Sequence, residues 1–210
     1  MSDASDAAPF TTSGLPDGRL AKQIEFLIEA DKLKTIIRQT PLVDSSRREN
    51  SAEHTWHVIL AALVMQEYMA ERVDLTRVLE LIAVHDLVEI DAGDTFAYDT
   101  AAQQTRLSRE TVAAERIFGL LPSDQRDYFR ALWEEFEAQE SAESRFANAL
   151  DRLQPLLQNA GSNGGSWRVH ALTREDVLQR MAPLESNLPR TWPSVVAIID
   201  AFCAAGVLRG

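Results

Sequence analysis

Three observations on the sequence predict an all-α fold. Apolar residues recur at the three-to-four-residue spacing of one helix face nearly throughout the chain. No segment shows the sustained period-two alternation of a strand flanked by hairpin turn signals. The stretch from about Asp74 to Ile90 is apolar on almost every side, as a helix packed among other helices must be.

The elements follow in order. Leu20, Ile24, Leu27, Ile28, Leu33, Ile36 and Ile37 form the stripe of a first helix, which stops before Pro41 because proline disfavours helical geometry in the residue preceding it. A second helix starts near Ser51, read as its N-cap, and carries Trp56, Ile59, Leu60, Leu63 and Val64 to about Arg72. The buried third helix presents Leu75, Val78, Leu79, Leu81, Ile82, Val84, Leu87 and Val88. DAGDTFAYDT then breaks the pattern as a loop, before a polar helix from about Gln103 to Leu120 that ends at Pro122. Ser123 and Ser141 are N-cap candidates for two more helices. One carries Tyr128, Phe129, Leu132, Trp133 and Phe136; the other carries Phe146, Leu150, Leu153, Leu156 and Leu157. GSNGGS at 161–166 reads as a flexible connection. Thr173 opens a short helix, and Thr191 caps a last one with Pro193 in its first turn and Gly206 past its end.

The chain of 210 residues is long enough for one domain with a real core, and its 45% hydrophobic and 25% charged residues are those of an ordinary globular protein. Residues 1–18 are acidic and rich in small residues, without the basic and apolar regions of a signal peptide, and read as a disordered tail; 19–210 read as a single domain. No apolar run approaches the ~20 residues that span a bilayer, so no membrane partner is expected. Cys203 is the only cysteine, which excludes an internal disulfide and a thiolate cluster and fits a cytoplasmic location. A net charge of -11 argues against binding a nucleic-acid polymer, which needs many cations aimed at phosphates. A small phosphorylated ligand needs only two or three local arginines.

Ionisable residues inside apolar helix are the informative anomaly, because a buried unpaired charge costs several kcal/mol unless a metal or partner compensates it. In LIAVHDLVEI the pair His85-Asp86 sits in the most hydrophobic stretch, with Glu89 one turn beyond His85; in SAEHTWHVIL, His54 lies in a first turn; in FANALDRLQPLLQ, Asp151 lies on an amphipathic helix. Neighbouring His and Asp project about 100° apart on a helix, so both reach one ion only at a helix crossing. Imidazole with carboxylate suits a borderline divalent ion and leaves exchangeable positions where a water becomes a nucleophile. Each residue taken singly fits a hydrogen-bonded structural group better; the ordered set is much harder to obtain by accident.

RRENSAEHTWH (47–57), HDLVEIDAGD (85–94) and ALDRLQPLLQ (149–158) together resemble the HD domain phosphohydrolases, in the branch similar to bacterial 5'-deoxynucleotidases, over about residues 20–205. The resemblance implies a compact helical fold with the metal site between buried helices. It makes His54, His85, Asp86 and Asp151 ligands of one divalent ion (Mn, Co, Zn, Fe, Ni or Mg). Glu89 becomes a catalytic or substrate-orienting acid, and Asp94 a second acidic residue in the Gly-Asp turn. That branch holds the nucleotide phosphate with an Arg-Trp pair before the proline upstream of the first His; here those positions are Gln39 and Thr40, with Arg38 one residue earlier. Arg38, Arg47 and Arg48 are the phosphate candidates, and Arg47 and Arg48 fit a solvated charge pair equally well.

The implied activity is hydrolysis of a phosphate monoester, a (deoxy)nucleoside 5'-monophosphate, with a water activated at the metal. The competing readings are a metal-bearing nucleotide sensor or interaction module without turnover, and an HD-type di-iron oxygenase, which needs further histidines such as His57 or His170. A homodimer is a further implication of the resemblance. His57 reads first as a structural histidine, and Trp167, Arg168 and His170 as anchors of a loop end rather than a lid. Leu132, Trp133 and Phe136 read as core, and residues 134–140 as a solvated helical face.

Overall fold

The computed structural model describes residues 12–210. Residues 1–11 of the segment read as a tail lie outside the described residues; Thr12–Gly14 forms a single 3-10 turn. Helix α1 spans Gly18–Ala30, where the Asp17 carboxylate accepts from the amides of Arg19 and Leu20 and caps the first turn.

The predicted first helix does not continue to Ile37. After a 3-10 turn at Asp31–Thr35 the chain becomes extended, and β1 (Ile37–Pro41) pairs antiparallel with β2 (Arg48–Asn50). This hairpin corrects the expectation of a chain without strands. Strands of five and three residues are too short to display alternation, yet the β-branched Ile36, Ile37 and Thr40 favour extended backbone. Pairing puts Thr40 and Glu49 inside and leaves Arg48 outside.

Helix α2 spans Ser51–Met65, and its N-cap is Asn50 rather than Ser51. The Asn50 Oδ1 accepts from the Glu53 amide at 3.0 Å and the Glu53 carboxylate accepts from the Asn50 amide at 3.2 Å, a reciprocal capping box. The helix ends before the expected Arg72, because the chain turns away and the Ala70 amide donates to the Asn187 carbonyl at 3.2 Å. Asn50→Ala should cost ~1 kcal/mol and lower Tm by about 2–4 °C. Thermal denaturation followed by circular dichroism checks this, and an unchanged midpoint would assign the start of α2 to other contacts.

Helix α3 spans Leu75–His85, then tightens into a 3-10 turn at Asp86–Val88 before α4 (Glu89–Ala92). The continuous helix expected to Ile90 is therefore broken at the His-Asp pair. At Asp86 the backbone turns to φ -89, ψ -4, and the two side chains no longer diverge: His85 Nε2 lies 3.0 Å from Asp86 Oδ1. Gly93, at φ 74, then reverses the chain and brings Asp94 back toward the same region.

Helices α5 (Thr100–Gly119), α6 (Ser123–Ala138) and α7 (Ala142–Gly161) follow as expected, although Ser123 is the first helical residue rather than the cap. The 161–166 segment is an ordered turn, not a flexible connection. Asn159 Oδ1 accepts from the Ser166 amide at 2.7 Å and its hydroxyl at 2.9 Å, and a Cβ at Gly164 would meet Val207 at 2.3 Å. It leads into α8 (Gly165–Val169), where Trp167 is fully buried against Phe202 and anchors the turn. The chain closes with α9 (Arg174–Met181), α10 (Pro183–Asn187) and α11 (Trp192–Ala204).

Helix α3 is the centre of the core, packed by α2, α6 and α7, with Val78, Leu81 and Ile82 wholly buried. Leu132, Trp133 and Phe136 are core residues as read. The 134–140 face is not uniformly solvated, since Glu135 pairs with Arg77 and Glu137 with Arg106. Among the described residues no helix is long and apolar enough to cross a membrane.

Candidate metal centre

The crossing of α2, α3 and α7 brings three of the singled-out residues to one point. His54 from the first turn of α2, His85 from the end of α3 and Asp151 from the middle of α7 each offer one ligand atom, and these atoms lie within 4.8 Å of one another. Asp86 flanks them, 3.0 Å from His85 Nε2 and 3.9 Å from His54 Nε2.

The orientation of both rings is set from behind. His54 Nδ1 donates to Gln154 Oε1 at 2.9 Å, and the Gln154 amide nitrogen in turn donates to Glu49 Oε1 at 2.9 Å. His85 Nδ1 donates to the Ile82 carbonyl at 2.6 Å. Each ring therefore turns an Nε2 lone pair inward. His54 Nε2 faces Asp151 Oδ1 at 2.9 Å, and the buried His85 Nε2 has no hydrogen-bond partner among the described residues. Two inward lone pairs beside two carboxylates repel unless protons or a metal cation lie among them. This donor set fits a divalent metal, and His54, His85, Asp86 and Asp151 are the residues that would hold it. Gln154→Leu removes the acceptor that orients His54 and should weaken metal affinity ~10–100-fold. Competition against a chromophoric chelator measures that, and an unaltered affinity would reduce Gln154 to a packing residue.

An open cavity of about 180 Å³ reaches this centre, lined among others by Arg38, His85, Asp86, Glu89, Asp94, Asp151, Arg152 and Arg180. Arg38 is enclosed by carboxylates: Asp86 and Asp94 at 3.3 Å, Glu89 at 3.8 Å and Glu49 at 3.9 Å. Burial would lower its pKa, but those charges outweigh it and hold the guanidinium protonated. Burial and the Asp86 carboxylate push Glu89 well above the usual carboxylate range, against Arg38, and Ser51 Oγ donates to Glu89 Oε2 at 2.6 Å. Asp94 is also raised, by burial first, with Arg38 opposing. Burial opposes the charge on Asp151, yet the two imidazoles hold its pKa well below the ordinary value.

Arg47 does not line the cavity: its NH1 donates to Glu53 Oε2 at 2.8 Å on the exposed side of the hairpin, and Arg48 is likewise outside. Strand alternation explains Arg48, since the next, inward position of the strand belongs to Glu49, while Arg47 precedes the strand and pairs with Glu53. His57 sits behind the centre, its Nδ1 3.1 Å from the Gln154 amide nitrogen, and exposed His170 stacks on Phe96. Neither joins the ligand atoms. Glu49, Ser51, Gln154, Arg152 and Arg180 were not among the sequence candidates for the site. Gln154 follows Asp151 by three residues and so shares its helix face, a signal the spacing does carry.

A helical domain with a His, a His-Asp pair and an Asp meeting at a helix crossing defines the HD class, and the HD domain family model matches residues 30–192. The chain belongs to that family. Its relatives include human 5'-deoxynucleotidase HDDC2, 32% identical over 64% of this chain and 65% of the human protein, just under two thirds of its length. The bovine 5'-deoxynucleotidase HDDC2 is 30% identical over 72% of each chain. A crystal structure from Magnetospirillum magnetotacticum MS-1, described as a predicted metal-dependent phosphohydrolase, is 48% identical over 93% of this chain and 98% of its own, with a TM-score of 0.88.

Proposed function

We propose that this protein is a metal-dependent phosphohydrolase that cleaves the phosphate monoester of a nucleoside 5'-monophosphate, with the deoxynucleotide as its preferred form. The observation that carries this reading is the meeting of His54, His85 and Asp151 ligand atoms within 4.8 Å at a cavity that also presents arginines. The relatives named 5'-deoxynucleotidase support the substrate class.

A bound divalent ion would act as a Lewis acid on the phosphoryl group and acidify a water. The chain's own residues do the rest. His54, His85, Asp86 and Asp151 would hold the ion, and the hydrogen bonds behind the imidazoles keep their orientation. In the reaction, water oxygen bonds to phosphorus, the bond from phosphorus to the 5' oxygen breaks, and that oxygen takes a proton to leave as the nucleoside alcohol. Glu89, raised by burial and facing the cavity with Arg38, is the group suited to manage that proton, with Asp94 beside it. Arg38 keeps these acids from repelling an incoming phosphate.

Phosphate release from ribo- and deoxyribonucleoside monophosphates, with Mn, Co, Zn, Mg and Ni supplied separately, tests the reading. Turnover of at least one 5'-monophosphate with a deoxy preference is expected. Nucleotide binding without release under every metal would instead identify a sensor.

A further inference from the structure

The arginines around the cavity are unequally compensated. Arg38 is surrounded by four carboxylates, and Arg106 lies between Glu110 and Glu137. Arg152 and Arg180, on α7 and α9, line another part of the wall. Arg152 forms no ion pair among the described residues: its NH1 donates to the Arg180 carbonyl at 3.3 Å, and its buried Nε has no partner. Among the described residues, the one carboxylate within ion-pair distance of Arg180 is Asp151, whose Oδ2 is 3.5 Å away while its Oδ1 faces His54. Once Asp151 serves the metal centre, neither guanidinium has another carboxylate of the described residues within ion-pair distance. Holding two like charges together at a partly desolvated wall is unfavourable unless an anion joins them.

We propose that Arg152 and Arg180 form an anion subsite for the non-bridging oxygens of a phosphate, next to the metal centre. Planar guanidinium donors suit the tetrahedral oxygens, and the 3.5 Å approach of Arg180 to Asp151 places the subsite beside the group that would hold the ion. Identifying that phosphate as the substrate's rests on the phosphohydrolase reading; the binding of phosphate does not.

Inorganic phosphate titrated by calorimetry into the full-length protein loaded with its divalent metal, so that Asp151 is engaged away from Arg180, tests the subsite. Arg152→Lys, Arg180→Lys and the corresponding Gln variants are compared with wild type. Arg174→Gln, which removes a surface partner of Asp200, is the control. The Gln variants should bind phosphate about 10–100-fold more weakly, the Lys variants should fall between them and wild type, and the control should match wild type. In case a variant does not fold, phenylglyoxal modification of wild type mapped by mass spectrometry provides a second readout, with phosphate expected to protect Arg180. Unchanged affinity in the folded variants, or no protection in wild type, overturns the subsite. Arginine-dependent phosphate binding without release from any monophosphate overturns the phosphohydrolase reading and leaves the subsite standing. Hydrolysis that survives both Gln substitutions unchanged overturns the assignment of the subsite to the substrate's phosphate and leaves the phosphohydrolase reading standing.

Discussion

Asp151→Asn should leave a folded protein with little bound metal and with phosphate release reduced by more than the ~10–100-fold typical of losing an outer-shell partner. Asparagine keeps the shape but removes the charge that faces His54 Nε2 at 2.9 Å and His85 Nε2 at 3.7 Å. The amide offers one weak oxygen donor where the carboxylate offered an anionic one, so a bound ion would lose a charge-bearing ligand. Elemental analysis after gel filtration reads the occupancy, and the same sample gives the activity. A folded Asp151→Asn protein with wild-type metal content would mean that another carboxylate completes the centre. His54→Ala is expected to behave alike, because it removes the imidazole that α2 would contribute to the centre.

Glu89→Gln separates chemistry from metal binding. Glu89 is held by the Ser51 hydroxyl and stands 3.8 Å from Arg38, outside the cluster of converging ligand atoms. The amide conserves volume and still accepts from Ser51, so fold and metal content should match wild type. It cannot carry the proton that the leaving oxygen needs, and kcat should fall by ~10²–10⁴, the usual contribution of one general acid-base group. A kcat within a few-fold of wild type would confine Glu89 to balancing the charge of Arg38.

The all-α class and most of the helices were legible because buried helix faces impose their period on the sequence. His54, His85, Asp86 and Asp151 stood out for the complementary reason: charged and imidazole groups in apolar stretches need a compensating partner. The hairpin was not legible. Its strands are too short for alternation, and the apolar residues at 33, 36 and 37 match a helical spacing by chance. That one difference hid Glu49, which the hairpin turns inward, and left Arg47 and Arg48 indistinguishable from cavity residues. Ser51 was read from its position as a cap, although Asn50 holds the cap and the Ser51 hydroxyl reaches Glu89 instead. The break after His85 was equally invisible, because DLV is as apolar as the helix before it; only the geometry reveals that the tightening brings Asp86 alongside His85. Composition misled at 161–166, where the order comes from Asn159, outside the Gly/Ser run.

On the proposed reading, phosphate-ester hydrolysis depends on an ion held by His54, His85, Asp86 and Asp151. The most direct test is to strip the protein with a chelator, add Mn or Co back in steps, and measure bound metal and phosphate release from a deoxynucleoside 5'-monophosphate in the same samples. Release should be absent at the start, rise in proportion to occupancy and level off at a single ion per chain. Release that is undiminished in the stripped protein, or that stays absent when the site is full, would contradict it.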